Sequence, residues 1–61
     1  MFLLDSYENG NRKVRLLENE NGVVCRYCVV TEHYGQTYRF FDNLDEAYDE
    51  YLDECKTIKE D

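Results

Sequence analysis

Three cysteines and one histidine are the side chains of this sequence best suited to bind a metal or to act as nucleophiles: Cys25, Cys28, His33 and Cys55. Three thiolates and an imidazole are a common ligand set for zinc, and a cysteine beside a histidine can be an activated nucleophile. Zinc knuckles place a C-x-x-C pair on a tight turn. Here the pair lies in a β-branched, aromatic run that is typical of a strand.

The spacing of this cysteine pair argues against both chemistries. Side chains three residues apart on a strand point to opposite faces, so the two sulfur atoms would need a bulge to share a metal. Cys55 falls on the apolar side of a helical pattern, which indicates core packing, and His33 lies beside a predicted turn. The sequence therefore predicts inert, buried cysteines, a solvated histidine, and no catalytic, cofactor-binding or metal-binding residue.

Cysteine number and the N-terminal residues favour a cytoplasmic location. Three cysteines cannot all pair, as those of a disulfide-stabilised exported domain usually do. After Met1 only three apolar residues precede Asp5, too few for a secretory signal or for a span of the bilayer. We therefore expect a protein of the reducing cytoplasm of a host cell, without a membrane anchor.

Turn signals divide the first forty residues into short extended segments. The stretches ENGN, NENG and YGQ carry the Asn-Gly and Gly signals of tight hairpins, and the runs between them are rich in Val, Tyr, Phe and Leu. The predicted strands cover residues 2–7, 12–18, 23–33 and 36–42, approximately. A chain of 61 residues has room for one small core, so we expect a single domain over residues 1–61.

The last third of the chain changes to a helical period. Its apolar residues fall on one arc of a helix plotted at about 100° per residue: Leu44, Ala47, Tyr48, Tyr51, Leu52, Cys55 and Ile58. The opposite arc holds six carboxylates: Asp45, Glu46, Asp49, Glu50, Asp53 and Glu54. This pattern predicts an amphipathic helix over about residues 44–58, with Asn43 or the competing Asp42 as its N-cap.

Together these elements predict an α+β fold. A meander of three or four antiparallel strands is followed by one C-terminal amphipathic helix, which packs on one face of the sheet. The third strand carries apolar residues on both sides, with Cys28 and Val30 alternating with Tyr27 and Val29. One helix covers only one face. The other face is therefore available for dimerisation or for a partner, or it exposes scattered apolar side chains without a function.

The net charge of −7 is concentrated in the predicted helix and the residues around it. Residues 1–41 hold five acidic and five basic side chains, whereas residues 42–61 hold nine acidic and two basic ones. This sign disfavours direct binding to nucleic acid or to an anionic membrane, since both require lysine and arginine. It favours a basic protein partner.

The acidic pattern is unfavourable for the helix itself. Four like-charge pairs lie four residues apart: Asp45–Asp49, Glu46–Glu50, Asp49–Asp53 and Glu50–Glu54. Each pair costs about 0.2–0.5 kcal/mol at low salt. Carboxylate pairs recurring about every 6 Å along the axis give roughly one charge per 3 Å, close to the ~3.4 Å phosphate spacing of a DNA strand. Two interpretations stay open, a surface that imitates a nucleic-acid backbone and a solubilising face.

In size and charge the chain resembles the small acidic inhibitors of phages and mobile elements, including anti-CRISPR and anti-restriction proteins that mimic DNA. The resemblance rests on composition and on residues 42–54, without a shared motif. It implies a non-enzymatic inhibitor that binds the DNA-recognition or PAM-reading surface of a host defence complex, such as a CRISPR effector. The residues expected to contact the basic surface are Asp42, Asp45, Glu46, Asp49, Glu50, Asp53 and Glu54, with Tyr34 as an exposed anchor.

Two alternatives belong to other classes of protein. The first is a small homodimeric structural or regulatory module, which pairs through the exposed sheet face and uses its acidic residues only for solubility. The second is a metal-binding module built on the cysteines.

Overall fold

The computed structural model describes residues 2–19, 26–33 and 35–60. Its elements follow the chain in the order β1 (Phe2–Asn9), β2 (Arg12–Glu18), β3 (Tyr27–Glu32), β4 (Gln36–Phe41) and α1 (Leu44–Glu60). The four strands lie in one sheet in chain order, each antiparallel to the next. The predicted α+β fold is confirmed, with four strands rather than three.

A two-residue loop and a bulge shape the first hairpin. Asn9 pairs with Arg12, so Gly10 and Asn11 form the loop, and Gly10 has a φ of 64°, which glycine adopts without steric strain. The pairing of β1 with β2 shifts by one residue between Leu3 and Asp5. This bulge places Asp5 opposite Leu16, on the sheet face that the helix covers.

The third strand is shorter than the sequence pattern predicts. Its prediction covered residues 23–33, whereas the strand runs from Tyr27 to Glu32, and residues 20–25 lie outside the described part of the chain. The main-chain N–H of His33 donates a hydrogen bond to the carbonyl of Gly35 at 2.9 Å. The chain therefore turns directly after Glu32, which ends the strand before His33.

Helix α1 covers one face of the sheet and lies mainly over β2 and β3. The buried side chains between the two layers are Val14, Leu16, Val29, Ala47, Tyr51 and Ile58. Tyr7, Tyr27, Phe41 and Cys55 pack around this core and are partly buried. Each strand contributes alternate residues to the helix-facing side, as the period of two along a strand requires.

The buried strip of the helix is narrower than its apolar arc. Leu44, Tyr48 and Leu52 belong to the predicted arc but remain 42%, 41% and 49% exposed. A helix lying on a sheet makes contact along a narrow line, so the flank of a wide apolar arc stays in solvent. These three residues therefore lie at the edge of the core rather than within it.

Both ends of the helix are fastened by asparagine side chains. The N–H of Glu46 donates to Oδ1 of Asn43 at 3.2 Å, which confirms Asn43 as the N-cap. At the other end, Nδ2 of Asn9 donates to the carbonyl of Ile58 at 2.8 Å. This second bond joins the last helical turns to the end of β1 and satisfies a carbonyl that has no partner within the helix.

Candidate functional site

The six carboxylates between residues 44 and 54 of helix α1 form two rows that run along its axis. The aspartate row consists of Asp45, Asp49 and Asp53, and the glutamate row consists of Glu46, Glu50 and Glu54. Residues four apart are neighbours on a helix surface, so each row is continuous. The helical period alone does not distinguish the two rows, but in the structure they differ in solvent exposure and in ion pairing.

The aspartate row points into solvent. Asp45, Asp49 and Asp53 are all exposed, and within the described residues none of their carboxylates forms an ion pair. At about 1.5 Å of rise per residue, the row extends over roughly 12 Å. Three negative charges in a line, with Lys56 one turn beyond Asp53 as a basic side chain on the same surface, create a negative potential on this side of the helix.

The glutamate row turns progressively toward the edge strand β4. Glu46 is exposed, whereas Oε2 of Glu50 lies 3.1 Å from Nε of Arg39. Arg39 pairs with the core residue Val29, which places it on the helix-facing side of the sheet. Glu54 lies deeper: burial and, to a lesser extent, the neighbouring Glu50 raise the pKa of its carboxyl group, while Arg39 partly opposes this shift. Part of the negative charge of the glutamate row is therefore balanced by Arg39 of the same chain.

Two further predicted contact residues lie outside the helix. Asp42 is exposed just before the helix begins and extends the acidic surface beyond its N-terminus. Tyr34 lies outside the described residues, so its role as an anchor stays a prediction.

An exposed apolar row runs beside the aspartate row, and the helical period alone did not distinguish it from the rest of the apolar arc. It consists of Leu44, Tyr48 and Leu52, each of which directly precedes one aspartate of the neighbouring row. The repeat that produces the neighbouring rows is visible in the sequence LDEAYDEYLDE. An apolar residue is followed by aspartate and then by glutamate, and this triplet recurs every four residues. Charged and apolar contact surface thus lie next to each other on one helix.

The cysteines do not form a metal site in the part of the chain that is described. Cys28 pairs with Leu17 and Phe40 on the face away from the helix, whereas Cys55 packs against the core on the helix side. The sheet separates them. No group of three or more metal-ligating side chains occurs among the described residues, and Cys25 lies outside that part.

The ionisation of these thiols also argues against nucleophilic chemistry. Burial raises the pKa of Cys28 and of Cys55, which keeps both sulfur atoms protonated at neutral pH.

Burial also raises the pKa of Tyr51, and hydrogen bonds to Cys55 and Asp5 add to this effect. The Tyr51 hydroxyl therefore links the helix to β1 as a neutral donor. His33 lies beside a turn, as predicted, and is partly exposed.

Fold and surface together define a small α+β protein with one acidic helical face. Comparison of the chain with protein-family models, with curated proteins and with solved structures finds no match. Among the described residues, no helix has the length and apolar content needed to cross a lipid bilayer. Any assignment of function rests on the geometry of the helix surface.

Proposed function

We propose that this protein is a non-enzymatic, cytoplasmic inhibitor that binds a basic, nucleic-acid-binding surface of a host defence complex through helix α1. Bound there, the helix occupies the place of DNA, so that DNA or PAM recognition by a CRISPR-type effector is blocked. The observation that carries the proposal is the aspartate row. Its three exposed carboxylates form no ion pair among the described residues, and Lys56 is the one lysine within a turn of the row, so a partner protein can supply further cations.

Charge density supports imitation of a nucleic-acid backbone. In the first eleven residues of the helix, the exposed carboxylates are Asp45, Glu46, Asp49 and Asp53. They span about 12 Å of helix axis, which is a mean spacing of roughly 4 Å, similar to the ~3.4 Å spacing of phosphates along one strand. Unlike a flexible acidic tail, these groups stand on a helix packed against a sheet and capped by Asn43. Such a rigid display costs little entropy on binding.

The apolar row supplies apolar contact surface, which the carboxylates do not provide. Electrostatic complementarity sets the encounter rate and the register of a complex, whereas most of the affinity comes from a few desolvated side chains. Leu44, Tyr48 and Leu52 stand next to the aspartate row and are 41–49% exposed. They would lie at one border of the charged contact and exclude water from it.

The test compares reversal of the aspartate row with a matched reversal elsewhere. Wild type, the triple variant Asp45→Lys/Asp49→Lys/Asp53→Lys, the single variant Asp49→Lys and the control Glu8→Lys are used to capture partners from host lysate. Glu8 is an exposed carboxylate on β1, so its reversal matches the charge change of Asp49→Lys at a distant place. Circular dichroism checks that every variant is folded.

We expect wild type and Glu8→Lys to retain a nucleic-acid-binding complex that is released by high salt or by added duplex DNA. Asp49→Lys should weaken this capture and the triple variant should lose it. In cells, the wild type should suppress interference by the captured complex and the triple variant should not. If the folded triple variant keeps the same partner, the acidic helix is a solubilising face and the proposal fails.

A further inference from the structure

The sheet face opposite the helix has a continuous apolar cluster at one end. We call this side of the sheet the open face. Strand pairing places Leu17 between Leu3 and Cys28, Cys28 beside Phe40, and Val30 beside Tyr38. These six apolar side chains therefore occupy neighbouring positions on all four strands, and no part of helix α1 covers them.

The outer members of this cluster remain in solvent. Leu3, Tyr38 and Phe40 are 51%, 54% and 59% exposed, whereas Cys28 and Val30 at the centre are each 5% exposed. Two half-exposed aromatic rings and a leucine present on the order of 300 Å² of surface, within the range in which an apolar patch on a monomer is often functional. For a domain of 61 residues this is a large uncovered area.

The charges on the open face are balanced, unlike those of the helix. Among strand residues on this face, two are acidic and two are basic: Glu8, Lys13, Arg15 and Glu32. Nη2 of Arg15 lies 2.8 Å from Oε1 of Glu32. A basic partner would gain nothing from a face without net charge. A second copy of the chain would meet an equal mixture of both signs, without net repulsion.

Because the acidic helix lies on the other side of the sheet, the open face is the side of the molecule that suits self-association. In a molecule of charge −7, contact through helix α1 would bring two acidic surfaces together. Contact through the open faces places the helices on the two outer sides. With about 10 Å between packed layers, the helices would be roughly 30 Å apart, beyond the Debye length of about 8 Å at physiological salt.

We propose that two copies of the protein pair through their open faces in a symmetric, four-layered helix–sheet–sheet–helix dimer. The two-fold axis would pass through the apolar cluster, so that each surface meets its own copy. Four strands spaced about 4.8 Å apart and about 20 Å long offer roughly 400 Å² per copy, or about 800 Å² in total, which is less than the ~1,000 Å² of a stable interface and in the range of weak, transient contacts. The dimer should therefore be reversible, and it would present two acidic helices facing opposite ways.

The test is the mass of the purified protein in solution. Sedimentation equilibrium is measured from about 10 μM to about 1 mM, a range that brackets a weak dissociation constant. The open-face variant Tyr38→Lys/Phe40→Lys changes two exposed residues of β4. The matched control Tyr48→Lys/Leu52→Lys introduces the same charges at similarly exposed positions of the apolar row. Circular dichroism confirms folding of both variants.

Wild type and the control should change from monomer to dimer across this range, and high salt should not dissociate them. The open-face variant should remain a monomer throughout. Amide signals of Leu17, Cys28 and Val30 should shift with concentration in NMR spectra of the wild type, while those of the helix stay constant. A wild type that is monomeric at the highest concentration would overturn the proposal. An open-face variant that dimerises as wild type does would also overturn it, because pairing would then use another surface.

Discussion

Nε of Arg39 lies 3.1 Å from Oε2 of Glu50 and joins the edge strand β4 to helix α1. The Arg39 side chain is 57% exposed, so this ion pair contributes little to stability, at most about 0.5 kcal/mol. The Arg39–Glu50 ion pair matters more for the distribution of charge on the helix surface than for stability. It pairs one carboxylate of the glutamate row with a base of the same chain, whereas no carboxylate of the aspartate row forms an ion pair among the described residues.

The aspartate row should reduce the stability of the helix that carries it. Asp49 lies four residues from both Asp45 and Asp53, so Asp49→Lys removes two repulsive pairs and creates two attractive ones. We expect the free energy of unfolding to rise by about 1 kcal/mol at low salt and the gain to shrink at about 1 M salt. Urea denaturation at both salt concentrations measures this. A variant less stable than wild type at low salt would contradict the repulsion argument, and Asp49→Asn separates lost repulsion from new attraction.

Glu54 should make stability depend on pH. Because burial raises its pKa in the folded state, the folded protein holds this proton more tightly than the unfolded chain. Ionisation therefore weakens folding as pH rises through the folded-state pKa. Glu54→Gln should stabilise the protein at neutral pH by about 0.5 kcal/mol. The gain should shrink as pH falls through the folded-state pKa and vanish below the ordinary pKa of glutamate in the unfolded chain, where both states of the wild type are protonated.

Urea denaturation between acidic and neutral pH tests this prediction. The control is Glu46→Gln in the same row, since Glu46 is exposed and lies in the first helical turn. There the helix dipole favours a carboxylate, so this variant should not gain stability at neutral pH. A gain for Glu54→Gln that is constant at all pH values would show that the effect does not come from ionisation.

The core should depend strongly on Leu16, which is 1% exposed between the sheet and the helix. Leu16→Ala leaves a cavity and should cost about 2–4 kcal/mol, most of what a domain of this size has. Leu52→Ala, at a position that is 49% exposed, should cost less than about 1 kcal/mol. Urea denaturation followed by circular dichroism compares the two. Equal losses would mean that Leu52 is as important to the core as Leu16.

Local features of the sequence were sufficient for most of the fold. The hairpin at Gly10, the helix from Leu44 and its cap at Asn43 depend on residues within a few positions of each other, and each was predicted correctly. The end of β3 was not, because the turn after Glu32 depends on the bond from His33 to Gly35 rather than on apolar alternation. Strand periodicity predicts that Cys25 and Cys28 lie on opposite faces, and this stays a prediction because Cys25 lies outside the described residues.

By itself the sequence determined the α+β class, the helical period and the concentration of acidic charge, because all three depend on neighbouring residues. Only the tertiary structure decided which sheet face the helix covers. Leu16 and Val29 on one face and Leu17 and Val30 on the other are equally apolar in the sequence, so the choice depends on how the helix packs. The same packing brings Arg39 to Glu50 and separates the glutamate row from the aspartate row, since contacts between distant residues are not encoded in a local period.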